Sequence, residues 1–199
     1  MFVHLLLVII TSYFVGTISF SYIFTKLLAG KDPGAEGSGN YGALNSYEIT
    51  GKKSIGLLVL LFDILKGAFA VFIAYFIIFP KFFYAIIASL FVVIGHNFNL
   101  FFRFRGGRGL ATALGGVLVF NPIVAIIWVG LWVLFYRIIK QDVLFANRLS
   151  SIVAPVAIIS APDYIFYFFN YNFFVGVLEY KIFSIVLCML IFAAHLRNS

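Results

Sequence analysis

Apolar runs of membrane length recur from one end of this sequence to the other, and that recurrence limits the folds open to it. A helix needs roughly 20 residues to cross about 30 Å of hydrocarbon. Candidate segments lie at residues 2–28, 54–79, 82–101, 109–120, 123–139, from about 150 to Pro162, and 178–195. Pro80 and Lys81 mark a tight turn between the second and third. Asn121 and Pro122 split the next pair, which reads as a helical hairpin with its turn near one membrane face. The first segment has no basic stretch before its apolar run and continues too long for a signal peptide, so it is read as a retained helix.

Composition agrees with a membrane interior. The chain has 199 residues, 63% of them hydrophobic and 11% charged, against about 25% charged in an average soluble domain. No polar stretch is large enough to form a separate domain, so residues 1–199 are read as one membrane-embedded domain. The expected fold is an all-α integral membrane protein of seven transmembrane helices. The segment "YIFYFFNYNFF", residues 164–174, carries Tyr and Asn tips on aromatic bodies, which suits the headgroup level.

Charge gives the orientation. With alternating spans, one side receives Lys26, Lys31, Lys52, Lys53, Arg103, Arg105, Arg108, Arg137, Lys140, Arg148 and Arg197, and the other only Lys81 and Lys181. Positive charge marks the cytoplasmic side, which puts the N-terminus outside and the C-terminus inside. The net charge of +7 follows from the same asymmetry. It suits basic loops facing anionic lipid and anionic substrates.

The same alternation collects four polar stretches at the cytoplasmic surface: "GSGNYGALN" at 37–45, "GHNFNLFFRFRGGRGLAT" at 95–112, "NRLSS" at 147–151 and "HLRNS" at 195–199. In "RFRGGRG" guanidinium forks and backbone N–H groups surround a glycine pair, a combination suited to phosphate. Gly109 opens the next apolar run and would aim a helix N-terminus at the same anion. "GSGNYGALN" matches neither a Walker A pattern nor GxGxxG. It offers three glycines, the donor Ser38, and the two-sided amides Asn40 and Asn45. Read alone it is a turn; read beside the arginine loop it is half of an anion cradle.

Asp63 and Lys66, three apart in "DILKG", share one helical face. Charge at that depth must be paired or line a polar cavity, so the two form an ion pair between helices or touch a substrate. His96 and His195 end apolar segments beside polar clusters, whereas His4 gains no role. Three histidines without an acidic partner at ligand spacing give no metal site. Cys188, the single cysteine, excludes an internal disulfide and a cysteine-based metal site.

Together these motifs resemble the bacterial acyl-phosphate:glycerol-3-phosphate acyltransferase family, and the resemblance covers nearly the whole chain. "GSGNYGALN" is similar to the family's first signature, "DILKG" to its DxxKG, "GHNFNLFFRFRGGRGLAT" to its central signature, and His195 with Asn198 to its C-terminal His-x-x-Asn. The resemblance implies seven helices in the bacterial inner membrane with the active site on the cytoplasmic face. It implies transfer of a fatty acyl group from acyl phosphate to the 1-hydroxyl of sn-glycerol-3-phosphate, giving lysophosphatidic acid and phosphate. It also implies a functional link to a soluble enzyme that makes acyl phosphate. No cofactor, metal or nucleic acid is implied.

Residue by residue, the resemblance puts Ser38, Asn40, His195 and Asn198 in catalytic roles. Gly37, Gly39, Asn45, Gly106, Gly107, Arg108, Gly109, His96, Lys66 and Ser151 are assigned to substrate binding. Arg108 stands where the family has lysine, Tyr41 where it has proline, Leu44 where it has threonine, and Glu48 where it has arginine. Arg148 falls where a family serine is expected and offers a replacement charge. Acyl-CoA-dependent acyltransferases resemble one another through a His followed five positions later by Asp; here Phe101 follows His96 at that spacing. Two other functions stay open: a homologue with lost or altered activity, and a small anion transporter. A transporter should carry polar residues toward both faces, and the outer connections carry few.

Overall fold

In the computed structural model the structure describes residues 2–168 and 176–197, all helix, turn and loop. These residues form α1 (Phe2–Thr17), α2 (Phe20–Ala29), α3 (Ala43–Thr50), α4 (Lys53–Phe72), α5 (Phe82–Asn97), α6 (Leu110–Phe120), α7 (Ile123–Leu134), α8 (Val143–Ser160), α9 (Asp163–Phe168) and α10 (Val177–Arg197). Helices α4 and α7 each widen at their ends into a π-helical segment, Ile73–Ile78 and Phe135–Ile139. Among the described residues, five helical stretches are long and apolar enough to cross a membrane: Phe2–Ala29, Lys53–Ile78, Phe82–Phe102, Val143–Ser160 and Val177–Leu196. Leu110–Val119 and Ile123–Ile139 are shorter apolar helices. The expected seven crossings therefore resolve into five of spanning length and a hairpin of two short helices, turned at Asn121–Pro122.

The chain groups into two compact units, Met1–Gly116 and Val117–Arg197, with the boundary inside α6. In the first unit the outer face of α4 is a stripe of exposed large side chains at helical spacing: Leu57, Leu61, Leu65, Phe69, Phe72 and Phe76. Its buried face carries Gly56, Val59, Asp63, Lys66, Gly67 and Ala70. Bulk faces outward and small or charged residues face inward, as expected where lipid is the solvent.

Small residues set the helix contacts of this unit. A Cβ on Gly16 of α1 would overlap the Val92 carbonyl of α5, and one on Gly95 would overlap the Tyr13 carbonyl. Gly67 of α4 meets the Thr112 carbonyl of α6 in the same way, and Gly115 meets that of Ile64. In each pair, backbone lies against backbone, which maximises dispersion contact where no hydrophobic effect drives helices together.

The first span is not one unbroken helix. It breaks at Ile18–Ser19, and Ser19 restarts it as the N-cap of α2, its hydroxyl accepting from the Tyr22 N–H at 3.2 Å. A break inside a membrane frees carbonyls that need donors. Asn99 Nδ2 donates to the Thr17 carbonyl at 2.6 Å and Lys66 Nζ to that of Ile18 at 2.8 Å.

In the second unit α8 packs against α7 and α10. It begins at Val143, capped by Asp142, whose carboxylate accepts from the Phe145 N–H at 3.0 Å. The stretch "NRLSS" at 147–151, expected as a connection before a span, therefore lies within the helix: the Asp142 cap starts it a full two turns early. The hairpin turn is held by Asn121, whose Oδ1 accepts from the Ile123 N–H and whose Nδ2 donates to the Phe166 carbonyl. The Tyr180 hydroxyl donates to the Asn121 carbonyl at 2.5 Å. Cys188 is buried. Of "YIFYFFNYNFF", residues 164–168 fall in α9, and residues 169–174 lie outside the described residues.

Candidate functional site

The first unit brings the two glycine-rich motifs together. The segment after α2 folds around Asn45, which lies not in the loop but in the first turn of α3. Its Nδ2 donates to the carbonyls of Pro33 at 2.9 Å, Asn40 at 3.0 Å and Glu36 at 3.3 Å. Its Oδ1 accepts from the Ser38 N–H at 2.9 Å. One buried amide thus holds both ends of the loop, and its donors and acceptor are engaged within the protein. The last three residues of "GSGNYGALN" are helical because Gly42, with extended backbone, is the N-cap of α3.

Gly37 and Gly39 take φ of 61° and 68°, the left-handed region in which a side chain is strained. The turn they make leaves Ser38 exposed. Asn40 is buried, and its Oδ1 finds no hydrogen-bond partner among the described residues. A buried carboxamide oxygen in that state is a ready acceptor for a hydroxyl or amine.

The second motif folds back over the end of α5. Asn99 accepts from the Phe101 N–H at 3.0 Å through its side chain and from the N–H groups of Phe102 and Phe104 through its carbonyl. This drives Arg103 and Phe104 to φ of 54° and 60°, an uncommon pair of consecutive left-handed non-glycine residues. Arg103 and Arg105 are left exposed, and Arg108 is half-buried. Gly106 and Gly107 then cross the α5 terminus so closely that a Cβ on Gly106 would overlap the His96 carbonyl. The Gly107 N–H donates to that carbonyl at 3.1 Å. Gly109, with φ of 81°, precedes α6.

The motifs meet at Tyr41. Its N–H donates to the Gly106 carbonyl at 3.4 Å, and its ring stacks on Phe102 with centroids 4.5 Å apart. Burial pushes the Tyr41 phenol above its ordinary value, with the Asp32 carboxylate and then Tyr22 adding to the effect and Arg105 opposing it. The Ser21 and Ser46 hydroxyls, 2.8 Å apart, tie α2 to α3 beneath the loop.

Below the turn, Asp63 and Lys66 pair at 2.7 Å within α4 rather than between two helices, because an i, i+3 spacing already brings them together. Lys66 reaches His96 on α5, with Nζ 2.8 Å from Nδ1. The first unit thus gathers Gly37, Ser38, Gly39, Asn40, Asn45, Lys66, His96, Gly106, Gly107, Arg108 and Gly109. Asn99 was not singled out from the sequence. Its signal was an Asn two positions before Phe101 in an otherwise apolar run, the pattern of an Asx turn.

His195 and Ser151 belong to the second unit. His195 is fully buried on α10, and its Nδ1 lies 2.8 Å from the Ile191 carbonyl. A carbonyl only accepts, so Nδ1 is the donor in this contact. Arg148 donates to the His195 carbonyl at 3.0 Å. The Ser151 hydroxyl donates to the Asn147 carbonyl at 2.8 Å and accepts from Trp128 Nε1 at 3.3 Å, so it is engaged on both sides. The neighbouring Ser150 hydroxyl is buried and finds no partner among the described residues. Asn198 lies outside the described residues. Glu48 is exposed on α3.

The chain as a whole is similar to known proteins. The model of the family described as glycerol-3-phosphate acyltransferase matches residues 6–199. A glycerol-3-phosphate acyltransferase of Idiomarina loihiensis is 38% identical over 162 residues, 81% of this chain and 78% of its own. That of Pelagibacter ubique is 35% identical over 193 residues, 97% of this chain and 91% of its own. Among solved structures, PlsY (YgiH), an integral membrane glycerol 3-phosphate acyltransferase, matches in its glycerol 3-phosphate form with a TM-score of 0.76. That alignment is 31% identical and covers 98% of this chain and 89% of PlsY. The lysophosphatidic acid form matches with a TM-score of 0.75 at 30% identity. The chain belongs to the glycerol-3-phosphate acyltransferase family.

Proposed function

We propose that this chain transfers a fatty acyl group from acyl phosphate to the 1-hydroxyl of sn-glycerol-3-phosphate, forming lysophosphatidic acid and inorganic phosphate. The observation that carries the reading is the near full-length match to PlsY in its glycerol 3-phosphate and lysophosphatidic acid forms. The paired glycine-rich loops support it, with three arginines and an unpartnered buried Asn40 oxygen between α2 and α6.

The chemistry asks little of a general base. An acyl phosphate is a mixed anhydride with a good leaving group. The glycerol phosphate hydroxyl oxygen attacks its carbonyl carbon, a tetrahedral oxyanion forms, and the carbon–oxygen bond to phosphate breaks. The departing phosphate takes the hydroxyl proton, so protons and charge balance without a His-Asp pair. Preorganised donors around the oxyanion and fixed orientation of the two substrates then supply most of the acceleration. The Ser38 hydroxyl and the Asn40 side chain serve the reacting centre, and Arg108 with Gly106, Gly107 and Gly109 holds the glycerol phosphate. His195 is the alternative base, and Asn198 a second catalytic residue; the Ser151 hydroxyl, engaged on both sides, serves the helix packing. The loops face the cytoplasm of a bacterial inner membrane, where a soluble enzyme supplies acyl phosphate.

The test is the protein purified into lipid and given labelled glycerol phosphate with either acyl phosphate or acyl-CoA. Labelled lysophosphatidic acid from acyl phosphate alone is the expected result. Product from acyl-CoA alone, or from neither donor, overturns it.

A further inference from the structure

Lys66, a candidate for substrate binding, is buried among groups of the protein itself. An ammonium carries three N–H donors and no acceptor. Its neighbours are three acceptors: the Asp63 carboxylate at 2.7 Å, the Ile18 carbonyl at 2.8 Å and His96 Nδ1 at 2.8 Å. Asp63 and Lys66 are both almost wholly buried, and the Phe20 ring covers the ammonium at 5.8 Å. Two of its N–H groups are hydrogen-bonded within the protein and the carboxylate lies against the third side. Because Lys66 can only donate, His96 Nδ1 holds a lone pair and the ring hydrogen sits on Nε2. That edge of the ring lies against Gly107, where a Cβ would overlap Nε2.

We infer that Asp63, Lys66 and His96 form a positioning triad for the phosphate-binding turn: Lys66 fixes the His96 ring, and the ring sets the path of Gly106 and Gly107. The inference rests on the acyltransferase reading for what the turn binds. Two contacts transmit the position. The His96 carbonyl takes the Gly107 N–H at 3.1 Å, and the imidazole edge fills the space that a side chain at 107 would need. The Ile18 contact ties the same ammonium to the break in the first span. A buried ion pair is a poor means of adding stability, since a well-packed apolar pair does as well. Its value here is geometric: three fixed donors hold α4, α5 and the α1–α2 break in one register.

The double variant Asp63→Leu/Lys66→Met tests this, because it removes both charges together and leaves no lone charge buried. In lipid, its KM for glycerol-3-phosphate should rise on the order of ten- to a hundredfold, with kcat and the acyl-phosphate KM changed less than about threefold. Should that variant not fold, His96→Gln and His96→Leu carry the test: Gln keeps an N–H near the Nε2 position and should retain the lower KM. Imidazole nitrogen NMR on the native protein should find His96 with hydrogen on Nε2 only. An unchanged glycerol-3-phosphate KM in the folded double variant overturns the inference, as do equal KM values for the two His96 variants or a hydrogen on Nδ1. Should the native protein acylate nothing, the acyltransferase reading fails by itself. Calorimetric binding of glycerol-3-phosphate to the native and double-variant proteins then reads the triad, and equal affinities overturn it.

Discussion

The Tyr41 N–H reaches the Gly106 carbonyl at 3.4 Å, and with the Tyr41–Phe102 stack it joins the two glycine-rich segments of the first unit. Proline, which the resemblance implies at this position, has no N–H to give.

Tyr41→Pro should remove both parts of that joint. A hydrogen bond worth about 1 kcal/mol and a stack worth roughly 0.5–1.5 kcal/mol give an expected loss of about 2 kcal/mol. Thermal unfolding in detergent checks this, and Tyr41→Phe is the control that keeps N–H and ring. The phenol adds a pH term. Its folded pKa is raised, so the stability it contributes is complete below its ordinary 10.0 and falls as pH rises through the folded value. Native protein should lose stability relative to Tyr41→Phe only in that alkaline range.

Asn45→Asp is nearly isosteric and should still be severe. The Ser38 N–H keeps its acceptor, but the carbonyls of Pro33, Glu36 and Asn40 would face a carboxylate in place of an amide. Losing donors to buried carbonyls costs about 1–3 kcal/mol for each group left unsatisfied. Chemical unfolding should show a larger loss for Asn45→Asp than for Ser38→Ala, whose side chain is exposed.

Arg108→Ala should raise the glycerol-3-phosphate KM about ten- to a hundredfold, the worth of a hydrogen bond to a charged group. Arg108→Lys, the residue of the family, should recover much of it, less whatever the guanidinium fork adds. Steady-state kinetics with saturating acyl phosphate decides, and an unaltered KM would sink the assignment.

Gly106→Ala and Gly107→Ala should separate. At 106 the added carbon meets backbone alone, the carbonyls of His96 and Asn97; at 107 it meets first the edge of the His96 side chain and then the Tyr41 carbonyl at 2.8 Å. Overpacking typically costs about 1–3 kcal/mol, and more where backbone must move. Gly106→Ala should thus lower folded yield, while Gly107→Ala should fold and bind glycerol phosphate weakly. Size-exclusion profiles and calorimetry distinguish the two.

Ser150→Ala and Ser151→Ala should differ in kind. Ser151 holds two hydrogen bonds, to Asn147 and from Trp128, so its loss should appear chiefly as reduced stability. Ser150 has no hydrogen-bond partner among the described residues, so its loss should leave unfolding unchanged and lower turnover. Paired unfolding and rate measurements on each variant check this.

The motifs were legible because each is local. The hairpin turn at Asn121–Pro122, the start of α6 after Gly109 and the shared face of Asp63 and Lys66 all follow from spacing and from Pro or Gly at a chain break. The break at Ile18–Ser19 was not legible. Ser19 is an ordinary cap residue, but apolar periodicity continues on both sides of it, and the donors that make a break tolerable, Asn99 and Lys66, lie far along the chain. The early start of α8 was hidden for a related reason: its first turns hold Asn147 and Arg148, which read as a connection until Asp142 is seen to cap them.

The sequence alone determined that this chain belongs in a membrane and which motifs carry polar chemistry, since these depend on composition and short spacing. Only the tertiary structure decided what each polar group does there. Asn45 holds a loop, Lys66 reaches the Ile18 carbonyl, and His195 donates through Nδ1 to the Ile191 carbonyl, because a hydrogen bond's partner is fixed by where backbone carbonyls arrive, and sequence spacing does not encode that.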